Sequence, residues 1–257
     1  MKKIAVIGTG LSALSLVHHL PSLDITFFEK SWRPGGRIST RRHQDYIFDH
    51  GAHYLKEDHG VIGFNEYLEK IGATKVLNGT FCSNIQNDSP IEEKRVIVGR
   101  QGIESIPIEF HKKLRYPTEY STQIKKIESR NQEYFISTDE KEFGPFDFIF
   151  SCIPFEQSKT LLEDFIDYKN IPTPNFDSIW TIMLAFDKRL GSPFQFGYHL
   201  NKEISFLMNQ NFKNEFFSEE CWVVNMRAEW TKEYYNIENY VLEDYVINSI
   251  KKFFQSS

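Results

Sequence analysis

The sequence predicts an α/β protein organised on a parallel strand–helix–strand unit within its first thirty residues. Three observations carry this. The apolar run Ile4-Ala5-Val6-Ile7 stops at the small-residue loop Gly8-Thr9-Gly10-Leu11-Ser12-Ala13, a helix follows, and a second apolar run, Ile25-Thr26-Phe27-Phe28, closes on Glu29. Short apolar runs bounded by glycine turns are those of buried strands, and a helix between two of them returns the chain to a parallel pairing.

Each loop position has a mechanical role. Gly8 permits the tight turn out of the strand, Gly10 lets backbone approach a pyrophosphate, and Ala13 lets helix and strand pack closely. The loop opens a helix, whose unpaired N–H groups and macrodipole bind an anion without a basic side chain. Glu29, roughly twenty residues on, is placed for a carboxylate that accepts both hydroxyls of an adenosine ribose, and an acid there disfavours a 2′-phosphate. Lys2, Lys3 and the apolar run to Val17 imitate a secretory leader. Two glycines interrupt that run and no small-x-small cleavage site follows, which favours the dinucleotide loop.

At 257 residues the chain can form one large domain or two interleaved ones. Hydrophobic residues at 40% and charged residues at 25% are ordinary for a soluble globular protein. No apolar run has membrane-spanning length, so a cytoplasmic protein with no membrane partner is expected. A formal charge of −5 supplies no field for nucleic acid. Arg33, Arg37, Arg41 and Arg42 form one local basic cluster with a local task. Cys82, Cys152 and Cys221 are odd in number and widely spaced, suggesting neither a disulfide framework nor a zinc site, and each defaults to a buried, inert thiol. The 23 Phe and 12 Tyr fit a large apolar cavity or an AT-rich codon bias equally. Nothing in the sequence signals an oligomeric state.

After Glu29-Lys30 the stretch Ser31-Trp32-Arg33-Pro34-Gly35-Gly36-Arg37-Ile38-Ser39-Thr40-Arg41-Arg42 rings a glycine pair with arginines and hydroxyls. Gly35 and Gly36 let N–H groups face a ligand at close range, and Arg37 can hold phosphate bidentately. Phe48-Asp49-His50-Gly51-Ala52-His53-Tyr54 ends a strand in another glycine turn. His50, His53 and His59 invite a metal, but no carboxylate or thiolate stands at ligand spacing, so a hydrogen-bonded turn and no metal is expected.

Together the loop Gly8 to Ala13, Glu29, the segment Pro34 to Arg42 and the segment Phe48 to Tyr54 resemble the first flavin-binding segments of the amine oxidase flavoprotein superfamily, and within it the bacterial renalase-like branch. The resemblance continues more weakly through Ser151-Cys152-Ile153-Pro154-Phe155-Glu156-Gln157, Trp180 to Leu190 and Trp222 to Tyr235. It implies a Rossmann-type FAD-binding domain with a smaller antiparallel-sheet substrate domain. It also implies cofactor contacts from Gly8, Gly10, Leu11, Ser12, Ala13, Glu29 and Lys30, from Gly35, Gly36, Arg37 and Thr40, and from Gly51, Ala52, His53 and Tyr54. Ile124 would touch adenine through its backbone, and the strand Asp147-Phe148-Ile149-Phe150 leading to Cys152 would re-enter beneath the pyrophosphate, although ordinary strand packing gives the same letters.

Further along, Gly60 to Ile71 has helical spacing ended by Gly72 as a C-cap. From Lys75 to Val98 short strands flank the polar turn Asn84 to Glu93. Gly102 to Leu114 predicts a helix with Pro107 near its start. Strands are expected at Tyr116 to Lys126, Glu133 to Thr138 and Phe143 to Ser151, and a helix at Phe155 to Tyr168. Ile171-Pro172-Thr173-Pro174 then marks a domain crossing. Ser178 to Phe186, Phe194 to Leu200, Ile204 to Met208 and Cys221 to Arg227 predict an antiparallel sheet, with Trp180, Tyr198, His199, Phe206 and Trp222 turned to a cavity or serving as core. Glu238 to Phe254 is a closing amphipathic helix. With the resemblance, this gives an FAD-binding domain from 1–58 and 95–168, and a substrate domain from 59–94 and 169–257.

The superfamily also carries a C-terminal Gly-Asp pair that opens a helix against the cofactor, and nothing after Trp230 matches it. The resemblance therefore implies weak FAD retention by this chain. The function it implies is a renalase-like oxidase passing hydride from a small reduced substrate, a dihydronicotinamide dinucleotide isomer, to flavin and then to dioxygen, giving hydrogen peroxide. No catalytic side chain beyond the flavin is assigned, because hydride transfer needs chiefly positioning and a dry pocket. An amine oxidase and a non-catalytic dinucleotide-binding module are the alternatives.

Overall fold

The computed structural model describes residues 1–20, 23–57, 63–83, 91–214 and 219–255. The chain forms two compact, interleaved units: unit 1 is Met1–Ser39, Glu66–Ala73 and Glu104–Asn175, and unit 2 is Thr40–Asn65, Thr74–Ile103 and Phe176–Ser257.

Unit 1 opens with β1 (Lys3–Ile7), α1 (Leu11–His18) and β2 (Asp24–Phe28). The chain enters unit 2 with the hairpin β3 (Thr40–His43) and β4 (Tyr46–Asp49). Helix α2 (Phe64–Lys70) returns it to unit 1, and the hairpin β5 (Thr74–Cys82) and β6 (Glu92–Gly99) belongs to unit 2 again. Next come α3 (Ser105–Leu114), β7 (Thr118–Glu119), β8 (Lys126–Arg130), β9 (Glu133–Ser137), β10 (Glu142–Phe146), β11 (Phe148–Ser151) and α4 (Phe155–Leu162), all in unit 1. Unit 2 ends with β12 (Thr181–Phe186), β13 (Phe196–Tyr198), β14 (Ile204–Asn209), β15 (Glu220–Met226), α5 (Ala228–Glu233) and α6 (Asn239–Gln255).

In unit 1 a four-stranded sheet of order β11-β1-β2-β7 is parallel throughout. Ile4, Ala5, Val6 and Ile7 are all buried, as a central parallel strand covered on both faces requires. Helix α1 buries Ala13, Leu14 and Val17, and its His18 ring packs at a tilt against Tyr67 of α2 and edge-on against Phe110 of α3. A three-stranded antiparallel sheet, β10-β9-β8, shares the core of Ala5, Ile7, Phe28, Ile127, Ile136 and Phe146. This is the Rossmann-type α/β fold expected.

Several elements differ in extent, for identifiable reasons. Gly102 (φ +93°) and Ile103, whose N–H donates to the Asp49 carboxylate, bind within unit 2, so α3 begins only at Ser105, with Pro107 in its first turn. The expected strand Tyr116 to Lys126 shrinks to β7. Beyond it the chain wraps the end of β2, with Ser121 N–H donating to the Ser31 carbonyl and Thr122 N–H to the Glu29 carbonyl. Phe143 to Ser151 is two strands, broken where Asp147 turns to Lys3: its carboxylate accepts the Lys3 N–H at 2.7 Å and its own N–H donates to the Lys3 carbonyl. The helix expected to reach Tyr168 ends at Leu162. Gly72 (φ +77°) does end its helix, with its N–H donating to the Glu69 carbonyl. His59, Val61, Ile62 and residues 84–90 of the polar turn lie outside the described residues.

Unit 2 holds a six-stranded sheet of order β12-β15-β14-β13-β5-β6, antiparallel except for the parallel joint between β13 and β5. Alternation on β15 sends Trp222, Val224 and Met226 to a core that includes Leu242, Val246 and Ile250 of α6, and Cys221 and Val223 to one with Phe48. Both faces are therefore packed there. Trp222 and Phe206 are core residues rather than cavity walls, Trp180 packs against the α6 core, Tyr198 against the core of Phe81, Phe196 and Phe206, and His199 is exposed. Helix α5 was not expected from the sequence.

These units part from the domain segments drawn from the sequence at 40–58, 66–73, 95–103 and 169–175. Phe48 packs on Cys221 and Val223, Leu55 bridges to Ile97, and Tyr67 packs edge-on against Phe110. No helix among the described residues is long and apolar enough to cross a membrane.

Candidate functional site

A cavity of about 930 Å³ opens in unit 1 at the C-terminal ends of β1, β2 and β11. That size suits a small-molecule or cofactor site, and ligands of open α/β sheets bind at this edge. Gly8, at φ +97°, turns the chain away from β1; a Cβ there would sit 3.1 Å from both the Cys152 carbonyl oxygen and Ile153 Cγ2. Only glycine fits both the conformation and the space. Gly10 differs: its φ is −70°, and a Cβ there would meet nothing nearer than the Gly35 carbonyl oxygen at 4.0 Å. The space beside Gly10 is otherwise open.

Helix α1 starts at Gly10 with no side-chain cap, so the N–H groups of its first turn are left toward the cavity that Leu11 and Ser12 line. Opposite stands the glycine pair. Gly35 bridges to Gly10 in a parallel pairing, and a Cβ on Gly36 would lie 3.8 Å from Gly10 Cα. Arg37 and Ile38 continue that wall. Helix α4, also without a side-chain cap, begins at the same cavity with Pro154 and Gln157 in the lining.

Glu29 also lines the cavity and is buried, with 6% exposure. Its Oε2 accepts the Thr9 N–H at 2.9 Å and the Thr9 hydroxyl at 2.6 Å, and its Oε1 accepts the Ser31 N–H at 2.9 Å. The carboxylate therefore ties the Gly8-Thr9-Gly10 loop to the end of β2, a structural task the sequence did not reveal. Lys30, Ser31 and the segment Thr122 to Lys125, with Ile124 buried in its middle, add to the lining. Cys152 lines the cavity as a half-buried thiol, and burial raises its pKa, which keeps it protonated.

Of the residues singled out from the sequence, Gly8, Gly10, Leu11, Ser12, Glu29, Lys30, Gly35, Gly36, Arg37, Ile124 and Cys152 are thus brought together. Ala13 lies just beneath, fully buried, where its small side chain serves packing. Thr40, Gly51, Ala52, His53 and Tyr54 belong to unit 2 and are not among the lining residues. The arginine cluster divides. Arg33 pairs with the buried Glu104 at 2.6 Å, and Arg42 donates to the Gln101 carbonyl. Thr9, Gln157 and Thr160 are among the lining residues that the sequence reading did not assign as contacts; Thr9 carried a signal as the residue between two loop glycines, and Gln157 lay in the segment of weaker resemblance.

Unit 2 has its own buried polar cluster. Asp49 Oδ1 accepts the Thr40 hydroxyl at 2.7 Å and the Ile103 N–H at 2.8 Å, while Oδ2 pairs with Lys213 Nζ at 2.5 Å. Lys213 also donates to the His53 carbonyl at 3.1 Å. Burial pulls the Lys213 pKa down, and Asp49 opposes that shift. His53 lies over Phe206, with Nε2 3.0 Å from Asn225 Nδ2, and burial, reinforced by the Lys213 charge, lowers its pKa to about 3. It is a neutral imidazole. Tyr54 and Tyr198 share a 2.8 Å hydroxyl hydrogen bond. No group of three or more His, Cys, Asp or Glu placed to hold a metal occurs among the described residues.

Comparison with known proteins bears on both units. Residues 6–66 match the family of NAD(P)-binding Rossmann-like domains. The chain is 41% identical over 54 residues to coproporphyrinogen III oxidase of Staphylococcus aureus, covering 20% of this chain and 12% of that protein. It is 33% identical over 85 residues to the L-amino-acid oxidase of Sistrurus catenatus edwardsii, covering 32% of this chain and 16% of that protein. The matched stretches therefore span under a fifth of either relative's length. Among solved structures, a protein of Exiguobacterium sp. 255-15 assigned provisionally as a protoporphyrinogen oxidase superposes with a TM-score of 0.74 at 12% identity, over 99% of this chain and 83% of that one. Putrescine oxidase bound to putrescine gives 0.66 at 8% identity, over 98% and 81%. At such identities the likeness is one of fold, and it extends over nearly the whole chain.

Proposed function

We propose that this chain is a cytoplasmic FAD-dependent oxidoreductase of renalase-like type, acting on a small reduced substrate such as a dihydronicotinamide dinucleotide isomer, with dioxygen as the second substrate. The observation that carries this reading is the unit 1 cavity, lined together by an uncapped helix N-terminus, a glycine pair, Arg37 and the buried Glu29. The first-turn N–H groups of α1, Gly36 and Arg37 would hold the diphosphate. Glu29 would hold the adenosine ribose and the Ile124 backbone the adenine. When bound, FAD supplies hydride acceptance and reoxidation by dioxygen with release of hydrogen peroxide. The chain's own contribution is to bind, orient and exclude water.

The absorption spectrum of the purified protein after incubation with FAD and gel filtration tests the cofactor. The two visible bands of oxidised flavin are expected; a colourless protein that takes up no FAD overturns the proposal. A peroxide assay with 2- and 6-dihydronicotinamide dinucleotides against simple amines tests the substrate. Turnover of amines alone would move the reading to an amine oxidase, which the likeness to putrescine oxidase makes the second candidate. Bound flavin that no substrate bleaches would indicate a non-catalytic dinucleotide-binding module.

A further inference from the structure

We infer that Glu29 can serve only one of the two hydroxyls of an adenosine ribose, and that Thr9 sets this limit as a positioning residue. The inference rests on the dinucleotide reading of the unit 1 cavity. An ionised carboxylate accepts only, at about four lone-pair positions. Three are already taken: the Thr9 N–H at 2.9 Å and the Thr9 hydroxyl at 2.6 Å fill Oε2, and the Ser31 N–H at 2.9 Å takes one position on Oε1. These partners are built in. Thr9 is fully buried and Ser31 is two residues from Glu29 in the chain, so both partners belong to the folded loop and not to solvent.

One acceptor position on Oε1 is left, in a side chain that lines the cavity but is only 6% exposed. A ribose diol presents two donors. One can be served by the carboxylate, and the other must look to water or to a different group. The Thr9 hydroxyl has a single proton and points it at Oε2, so it supplies no donor to the ribose while Glu29 stays charged. Removing that hydroxyl frees a second acceptor position without touching the backbone bond.

The test is calorimetric titration of the full chain with ADP, 2′-deoxy-ADP and 3′-deoxy-ADP, in the wild type, Glu29→Gln and Thr9→Ala. In the wild type one deoxy analogue should lose about 10-fold or more in affinity, and that loss should largely vanish in Glu29→Gln, because a charge-assisted hydrogen bond disappears with either partner. Whatever the other hydroxyl contributes should be unchanged by Glu29→Gln to within about 2-fold. In Thr9→Ala, which removes the hydroxyl and leaves its space open, both hydroxyls should depend on Glu29. Equal dependence of both hydroxyls on Glu29 in the wild type, or a Thr9→Ala protein that discriminates as the wild type does, overturns the inference while leaving the dinucleotide site intact. If Glu29→Gln fails to fold, the Thr9→Ala comparison decides alone, and an analogue pattern unchanged from the wild type overturns the inference. A wild type that binds neither ADP nor FAD overturns the inference together with the reading beneath it.

Discussion

Replacing Gly10 by valine should separate binding from folding. Gly10 has φ −70° and ψ 171°, an extended conformation that valine adopts, and a Cβ there meets only the Gly35 carbonyl oxygen at 4.0 Å. The cost to the fold is that of a poorer N-cap residue, about 1 kcal/mol, or a fall in Tm of about 2–4 °C for a chain of this size. The ligand suffers far more, because the isopropyl group fills the space through which the first-turn N–H groups reach an anion. Loss of two charge-assisted hydrogen bonds, at about 1.5–3 kcal/mol each, is roughly a hundredfold to ten-thousandfold weakening. Gly8→Ala should behave oppositely. Its φ of +97° costs an alanine roughly 1–2 kcal/mol, and the Cys152 carbonyl oxygen and Ile153 Cγ2, each 3.1 Å from the new carbon, must give as well. Thermal unfolding and FAD titration of both variants provide the check. A Gly10→Val protein that still holds one flavin per chain refutes the reasoning, and so does one that melts as early as Gly8→Ala.

Arg33→Leu should destabilise by roughly 2–4 kcal/mol and Glu104→Gln by less, because the Glu104 side chain is 5% exposed and cannot rehydrate alone whereas Arg33 at 28% can; equal losses in urea unfolding would contradict this. Lys213→Met should cost roughly 3–5 kcal/mol by stranding the Asp49 carboxylate, and Asp49→Asn with Lys213→Met should recover more than half of it, since the desolvation of both charges disappears; a double variant no more stable than the single would count against the pairing. His53 has a folded pKa of about 3 against 6.5 when unfolded, so the folded state binds fewer protons, and its contribution is complete above pH 6.5 and lost as pH falls toward 3. Between pH 6.5 and 5 the wild type should lose about 2 kcal/mol more than His53→Gln, and parallel urea-midpoint curves for the two proteins would disprove the assignment.

What the sequence disclosed followed the range of the interactions. The β1–loop–α1 unit was legible because each part is decided locally: an apolar strand, a turn only Gly8 can make, and a helix whose Ala13, Leu14 and Val17 share one face. Gly72 ending α2 was legible for the same reason. Lys213 was not. It stands among Asn209, Gln210, Asn211 and Asn214, composition typical of a solvated turn, and its partner is 164 residues away. Trp222 shows the middle case, since alternation along β15 separates two faces but cannot say that both are covered. The break at Asp147 was equally hidden: Phe143 to Ser151 has the letters of one long strand, and only the tie to Lys3 divides it between an antiparallel and a parallel sheet.

The arginines carry this furthest. Arg33, Arg37, Arg41 and Arg42 lie within ten residues and form one basic patch when charge is counted along the chain, which would assign all four to an anionic ligand. The fold spends them differently. Arg33 neutralises Glu104, Arg42 caps the Gln101 carbonyl, Arg41 is exposed on β3, and only Arg37 lines the cavity. Under the proposed dinucleotide reading, most of the attraction for a diphosphate would then come from backbone N–H groups and the α1 dipole, which are fixed by the fold and need no reorganisation. On that reading the positions with the least side chain, Gly10 and Gly36, would matter more to binding than three of the four arginines.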